Sequence, residues 1–358
     1  MTDLSRPDGP AQPDDPEDSD KPPALEPQAP EPVAAGPVEA SPRTLGLTAF
    51  TMEGRRAPAL FVVGWLATLI GGGFVALQFL GIAELPGIVL WYAGLALAVI
   101  GLVLLGGSQA IERKAAGAAY AGPSPILVFL AVLAGSQLAG LAVGLPLSLI
   151  GANIPRPVGD LIAVIVQALV FAAAIRAMVV GADALSWTDM GLGGARSAAL
   201  RGLAAGAVYA GPVILVTAIL AAVAAQVAGA VPASPLPPTG TAGGLLLHLL
   251  AGAVVAPFAE ELLFRGFALT AWRREIGDNA AIIRTTIIFV LAHLLTIGGD
   301  SFGNGAAMAF VAGIARVPVA LALGWLFVRT GSLWAPIGLH AAYNGILILI
   351  AELATAAA

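Results

Sequence analysis

The sequence predicts an all-α membrane protein, a bundle of about nine transmembrane helices preceded by a disordered tail. Of the 358 residues, 58% are hydrophobic and only 11% are charged, whereas soluble domains have roughly 25% charged residues. The apolar residues also form long blocks, and a block of about 20 apolar residues is long enough to cross a bilayer as a helix. Helices are expected because backbone polar groups in lipid must be satisfied within the segment.

The distribution of basic residues supports this layout. We place nine apolar segments, at 59–80, 86–107, 124–150, 158–181, 202–228, 244–270, 281–298, 306–328 and 332–352. Basic residues flank them at alternate ends, as Arg55 and Arg56, Arg113 and Lys114, Arg196 and Arg201, Arg273, Arg274 and Arg284, and Arg329. Because cytoplasmic loops are enriched in Lys and Arg, we predict a multi-pass cell-membrane protein with a cytoplasmic N-terminus.

The N-terminal segment has a different composition. Residues 1–43 contain eleven Pro, ten Asp or Glu and three Lys or Arg, too little apolar surface to offset chain entropy. The sequence therefore divides into a disordered, acidic cytoplasmic tail (1–55), N-terminal transmembrane helices (56–230) and a polar-residue-bearing core (244–352). The absence of cysteine excludes disulfides and thiolate chemistry. The sequence has no basic, aromatic-rich patch of the kind that would indicate a nucleic-acid partner. It leaves the oligomeric state open.

Two adjacent glutamates lie in the sixth segment. Neighbouring residues in an α-helix are rotated by about 100°, so Glu260 and Glu261 face different directions. Glu261 and Arg265 are four residues apart and can form a salt bridge on one face. We therefore expect Arg265 to compensate Glu261 and Glu260 to remain available as a general base.

Two histidines lie at a similar depth on other segments. Counted at about 1.5 Å per residue from the basic residue at the cytoplasmic end of the same helix, Glu260, His293 and His340 lie roughly 20, 14 and 17 Å deep. Asn344 follows His340 by one helical turn. Ionisable residues inside membrane segments are costly and mark functional sites, so this shared layer indicates a site made by three helices.

Such a layer is compatible with several activities. A carboxylate and an imidazole can activate water, while a second imidazole and a carboxamide can stabilise an oxyanion, as amide hydrolysis requires. Glu260, His293 and His340 can alternatively bind one divalent metal ion such as Zn²⁺. Two further hypotheses are a proton- or cation-coupled transporter that uses Glu260, and a non-enzymatic scaffold or immunity protein that binds a peptide.

The stretches 260–265, 289–293 and 340–344 resemble the three motifs of the CAAX-protease and bacteriocin-processing family of intramembrane endopeptidases. The resemblance implies a peptide or protein substrate. It also implies that Glu260 and His293 activate water, and that His340 and Asn344 form the oxyanion site. Glu261 and Arg265 would support them. Members of this family are described both as metalloproteases and as glutamate-dependent enzymes, so the resemblance leaves the metal open.

Two further polar residues lie in the same segments. Arg316 is predicted to lie about 20 Å deep in the eighth segment. A buried arginine needs a partner, and Glu261 is the candidate, in competition with Arg265. His248, the third histidine of the chain, lies about 18 Å from Glu260 along the sixth segment and is predicted to lie outside the site.

Overall fold

A computed structural model describes residues 54–79, 85–232, 236–295 and 297–356, and these residues fold as helices joined by short connections. The predicted disordered tail lies outside the described residues, apart from Gly54 and Arg55. We number the nine helices of the described ranges in chain order: α1 Pro58–Phe79, α2 Leu85–Ala115, α3 Pro125–Leu149, α4 Arg156–Val180, α5 Arg196–Ala228, α6 Ala242–Ile276, α7 Asp278–Leu294, α8 Phe302–Thr330 and α9 Trp334–Ala356.

The helices confirm the predicted all-α fold class. Eight of the described helices are long and apolar enough to cross a membrane, and α7, with 17 residues, is slightly shorter. The main differences are at helix ends. Helix α2 continues to Ala115, beyond the predicted end at residue 107, because its polar last turns form ion pairs, Glu112 with Arg55 at 3.0 Å and Arg113 with Glu275 at 3.1 Å.

The outer surface of the bundle is apolar, as expected of a protein surrounded by lipid. Leu69, Leu169 and Leu215 are 63%, 65% and 63% exposed, which would be unfavourable in water. Sequential helices from α1 to α4 pack side by side, and α4 also packs along α6. The main core of buried side chains surrounds the second half of α6, where Phe264, Phe267 and Leu269 are almost fully buried.

Helix α6 is not a regular α-helix. Two π-helical turns, Leu250–Val255 and Leu262–Leu269, flank the short α-helical segment Ala256–Glu261 that carries the two glutamates. Pro257 provides a reason for the first of these turns, because it has no backbone N–H to donate. The backbone N–H of Ala256 donates to the carbonyl of Ala251, five residues back. π-helical turns of this kind occur frequently at functional sites.

Helix α9 lies unusually close to α5. A Cβ atom added at Gly206 would collide with the carbonyl oxygen of Ala335, and one added at Gly338 would collide with that of Leu203. Glycine at both positions lets the two backbones approach, as small residues do between membrane helices. Because Gly338 precedes His340 by two residues, this contact also determines where the His340 ring lies.

We expect Gly206→Ala to destabilise the protein by about 1–3 kcal/mol, since backbone atoms that cannot repack would have to move. Gly211→Ala, in the same helix, is the control because no atom lies within 4 Å of its added Cβ. Alanine favours a helix interior over glycine by about 1 kcal/mol, so the control should be neutral or stabilising. Unfolding in detergent measures both variants, and equal stabilities would contradict the proposed close contact.

Candidate active site

The Glu260 carboxylate lies between two imidazole rings. Its Oε2 atom is 3.6 Å from His293 Nε2 and 3.9 Å from His340 Nε2. Oε2 is buried and has no hydrogen-bond partner among the described residues. The side chains of Glu260 and His293 are 19% and 28% exposed, so both are partly accessible. Three helices, α6, α7 and α9, thus bring together the residues that the depth count places in one layer.

The second nitrogen of each ring determines which atom faces Glu260. His293 Nδ1 lies 2.8 Å from the carbonyl oxygen of Phe289, which can only accept, so Nδ1 carries the hydrogen. His340 Nδ1 donates in the same way to Glu261 Oε1 at 2.8 Å. In a neutral ring the remaining nitrogen, Nε2, is then an acceptor. Three acceptor atoms therefore converge, an arrangement suited to binding a water molecule, a shared proton or a cation.

The neighbouring Glu261 carboxylate belongs to a buried network. Arg265 Nη1 donates to Glu261 Oε1 at 2.8 Å, and both side chains are completely buried. Arg265 Nη2 donates to the carbonyl oxygen of Ala320 on α8 at 3.1 Å. The predicted i, i+4 pair of Glu261 with Arg265 is therefore present. Because Glu261 Oε1 also accepts from His340, this pair holds the Nδ1 edge of the His340 ring in position.

Phe289 is the aromatic centre of the site, and it is 2% exposed. Its ring centroid lies 4.5 Å from that of His293 and 6.0 Å from that of His340. The Arg265 guanidinium carbon lies 4.5 Å from the Phe289 centroid, within the range of a cation–π interaction. One side chain thus packs against both histidines and the buried arginine, a role that its helical spacing from His293 alone does not indicate.

Asn344 contacts the helix that carries the glutamates. Its Nδ2 donates to the carbonyl oxygen of Gly252 at 2.8 Å. Of the helical donors that follow Gly252, Ala256 N–H donates to Ala251 and Pro257 has no N–H, so Asn344 satisfies a carbonyl left available by the π-helical turn. The second Nδ2 hydrogen is not used by this bond. No hydrogen bond between Asn344 and Glu260 is observed in the described part of the chain.

The other two polar residues have different surroundings. Arg316 Nη1 donates to the carbonyl oxygen of Ala312 in its own helix at 2.9 Å, and the alternative pairing of Arg316 with Glu261 is not observed. His248 is buried and its Nε2 lies 3.2 Å from Asp160 Oδ2 on α4. His248 thus has a carboxylate partner of its own, away from the contacts of Glu260.

The carboxylate and imidazole groups around Glu260 are chemically suited to bind a metal ion, but the distances between them are longer than those between the ligands of a zinc ion. A tetrahedral zinc ion bound at about 2.0–2.1 Å separates neighbouring ligand atoms by about 3.3–3.4 Å. The two measured separations, 3.6 and 3.9 Å, are larger. Among the described residues, no group of three or more His, Cys, Asp or Glu is arranged to hold a metal ion. Both histidines do have the Nδ1 hydrogen bonds that orient metal-bound imidazoles.

A comparison with protein-family models identifies the family that the region around Glu260 resembles. The family model described as type II CAAX prenyl endopeptidase Rce1-like matches residues 242–346. The chain carries an Rce1-like domain. This domain begins with α6 and contains Glu260, His293, His340 and Asn344. Neither the curated proteins nor the solved structures gave a match.

The Rce1-like domain confirms the family resemblance indicated by the three motifs. Together with the long apolar helices, it supports a multi-pass membrane protease of the CAAX type that acts on a peptide or protein. The cytoplasmic orientation of the N-terminus and the roles of individual residues stay predictions.

The burial of the Glu261–Arg265 pair leads to a stability prediction. Replacing Arg265 by Met leaves the Glu261 charge buried without its cation, so we expect a loss of about 3–5 kcal/mol. Arg274→Met is the control in the same helix, since Arg274 forms an exposed ion pair with Asp189 at 2.8 Å and such pairs contribute about 0–1 kcal/mol. Unfolding in detergent measures both losses, and equal losses would contradict the assignment.

The stability contributed by the control ion pair, Arg274 with Asp189, depends on pH. The backbone N–H and hydroxyl of Ser186, with Arg274, hold the pKa of the exposed Asp189 carboxyl below its usual value. Because the pKa of Asp189 is lower in the folded state, the ionised carboxyl stabilises the fold at pH values above its unfolded-state pKa. This stabilisation is lost as the pH falls through the folded-state pKa. The two variants are therefore compared near neutral pH, where Asp189 is ionised.

Proposed function

We propose that this protein is an intramembrane endopeptidase that hydrolyses a peptide bond of a membrane-associated protein or peptide with a water molecule activated by Glu260 and His293. The observation that carries the proposal is the position of Glu260 Oε2 between the Nε2 atoms of His293 and His340. A carboxylate and an imidazole acceptor side by side can each accept a hydrogen bond from one water molecule, which orients its oxygen for attack.

In the proposed reaction the water oxygen forms a bond to the scissile carbonyl carbon, and its proton passes to Glu260. The carbonyl oxygen becomes an oxyanion in the tetrahedral intermediate. When the carbon–nitrogen bond breaks, the proton held by Glu260 passes to the leaving nitrogen, and the carboxylate is restored. Glu260 thus acts first as general base and then as general acid, and proton transfer of this kind contributes about 10²–10⁴-fold to the rate.

His340 and Asn344 are proposed to stabilise the oxyanion. Because His340 Nδ1 donates to Glu261, its Nε2 can donate to the oxyanion only in the protonated, imidazolium form of the ring. Asn344 uses one Nδ2 hydrogen for the Gly252 carbonyl, which fixes the amide plane and leaves the other hydrogen for the oxyanion. Glu261 and Arg265 are positioning residues, since they hold the His340 ring.

A metal-assisted route uses the same side chains. If the enzyme requires a divalent ion such as Zn²⁺, Glu260, His293 and His340 would hold it, and the ion would lower the pKa of a bound water and polarise the scissile carbonyl. Glu261 and the Phe289 carbonyl would then orient the two imidazoles through their Nδ1 atoms.

The other transmembrane helices are proposed to select the substrate and to provide access to the site. We propose that residues 244–352 form the catalytic core, that the helices of 56–230 contribute to substrate selection, and that the site is reached from the cytoplasmic half of the membrane. The last assignment follows from the basic residues at the cytoplasmic ends of the helices.

We expect Glu260→Gln to lower cleavage by at least about 10²-fold, since glutamine cannot take the proton of the attacking water. Membranes containing the wild-type and the variant protein are compared by mass spectrometry for new peptide termini. Glu275→Gln is the control, because Glu275 lies in the same helix and pairs with Arg113 outside the site. The variant must fold in the membrane with the unfolding temperature of the wild type.

Full cleavage by Glu260→Gln would overturn the mechanism. Glu260-dependent uptake of protons or cations by proteoliposomes, without proteolysis, would instead favour a transporter. Biological activity that survives substitution of both His293 and His340 would favour a peptide-binding scaffold. The histidine pair facing Glu260 favours the peptidase, because neither alternative requires two imidazoles in contact with one carboxylate.

Chelation separates the two hydrolytic routes. In the route that uses protein groups alone, prolonged dialysis against a chelator should leave the cleavage of the purified protein within about twofold, because Glu260 is a sufficient base. Loss of activity that returns only when Zn²⁺ is added would contradict this expectation and identify the metal route. Elemental analysis of the purified protein is the independent measurement.

A further inference from the structure

Arg316 is a charged side chain within the apolar helix α8 that the proposed reaction does not use. It is half-buried, and its Nη1 donates to the carbonyl oxygen of Ala312. No carboxylate lies within ion-pair distance of it in the described part of the chain. The other membrane-embedded arginine of this region, Arg265, forms a buried ion pair with Glu261.

The position of Arg316 is next to the candidate active site. Gly313, one turn before it on α8, lies against Val290 and Leu294 of α7, and an added Cβ there would be 3.7 Å from Val290 Cγ1. These two residues flank His293 in sequence. Arg316 is also close enough to Tyr343, Glu260 and His293 to interact with them electrostatically. It therefore lies beside the reacting groups but outside direct contact with Glu260.

The charge of Arg316 indicates what it can bind. A guanidinium in a membrane bundle is costly unless an anion or several acceptors compensate it. The carbonyl of Ala312 is one neutral acceptor, and the other guanidinium nitrogens have no hydrogen-bond partner among the described residues. A guanidinium presents a planar fork of donors that matches a carboxylate. The half-buried position leaves this fork accessible to a bound molecule.

We infer that Arg316 binds a carboxylate of the peptide substrate while the scissile bond lies at Glu260, and so makes cleavage selective for substrates with a carboxylate within its reach. The inference rests on the proposed peptidase function. The carboxylate can be the C-terminus of the substrate or an acidic side chain near the scissile bond. Arg316 is thus a specificity-determining residue that anchors a charge already present in the substrate, whereas His340 and Asn344 act on the oxyanion.

The test uses three fluorogenic versions of the peptide whose cleavage depends on Glu260. The first has a free C-terminal carboxylate, the second a C-terminal amide and no acidic side chain, and the third a C-terminal amide with one Glu side chain. They are cleaved by wild-type protein, Arg316→Gln and Arg316→Lys in detergent micelles. Arg329→Gln is the control, because Arg329 is exposed at the end of the same helix.

We expect Arg316→Gln to lower kcat/KM for a carboxylate peptide by about 10- to 100-fold, the size of a charge-assisted hydrogen bond. Cleavage of the uncharged amide peptide should change by no more than about twofold. Arg316→Lys should recover part of the preference, and Arg329→Gln should retain all of it. A preference for the first peptide identifies the chain terminus, and a preference for the third identifies an acidic side chain.

Equal losses on all three peptides would overturn the inference, because they would indicate a role in the transition state or in folding. Equal cleavage of the three peptides by the wild type would also overturn it, even if Arg316→Gln fails to fold. If the wild type cleaves none of them and no Glu260-dependent product appears in membranes, the proposed peptidase function itself fails.

Discussion

The buried Glu261 carboxylate is the constraint on which the site depends. One of its oxygens accepts from Arg265 and from His340 at 2.8 Å each, and Arg265 extends the network to the Ala320 carbonyl on α8. Three helices are therefore joined by charged hydrogen bonds where water is excluded. Because an unpaired charge in such a place costs several kcal/mol, these helices cannot separate or rotate without losing the network. The same network sets the orientation of the His340 ring.

The two adjacent glutamates show how one helix places like groups in different surroundings. Glu261 points into the core and is completely buried, whereas Glu260 points to the histidine pair and is 19% exposed. The first π-helical turn connects this segment to α9, since Asn344 satisfies a carbonyl that the turn leaves available. The interrupted hydrogen-bond pattern around Pro257 thus accounts for the first π-helical turn and for the carbonyl that Asn344 contacts.

Much of this arrangement is predictable from the sequence, but not its cross-helix contacts. Helical spacing predicts that Glu261 pairs with Arg265, and counting from the basic ends of the segments predicts that Glu260, His293 and His340 meet. The bond from His340 to Glu261 joins residues 79 positions apart and depends on helix rotation, which periodicity does not fix. The Asn344–Gly252 hydrogen bond is likewise not predictable from periodicity. The sequence gives only a partial signal, because Pro257, five residues after Gly252, indicates a carbonyl that lacks its usual partner.

The charges around the site are compatible with the proposed hydrolysis in an apolar bundle. Arg265 compensates the Glu261 carboxylate, so the Glu260 carboxylate is the negative charge that the proposed reaction moves. In the proposed reaction, water attack neutralises Glu260 as the oxyanion appears, so one negative charge moves but none is created. In a medium of low dielectric constant, moving a charge between prearranged groups costs far less than creating one. The short distance from Glu260 Oε2 to His340 Nε2, 3.9 Å, keeps that movement small.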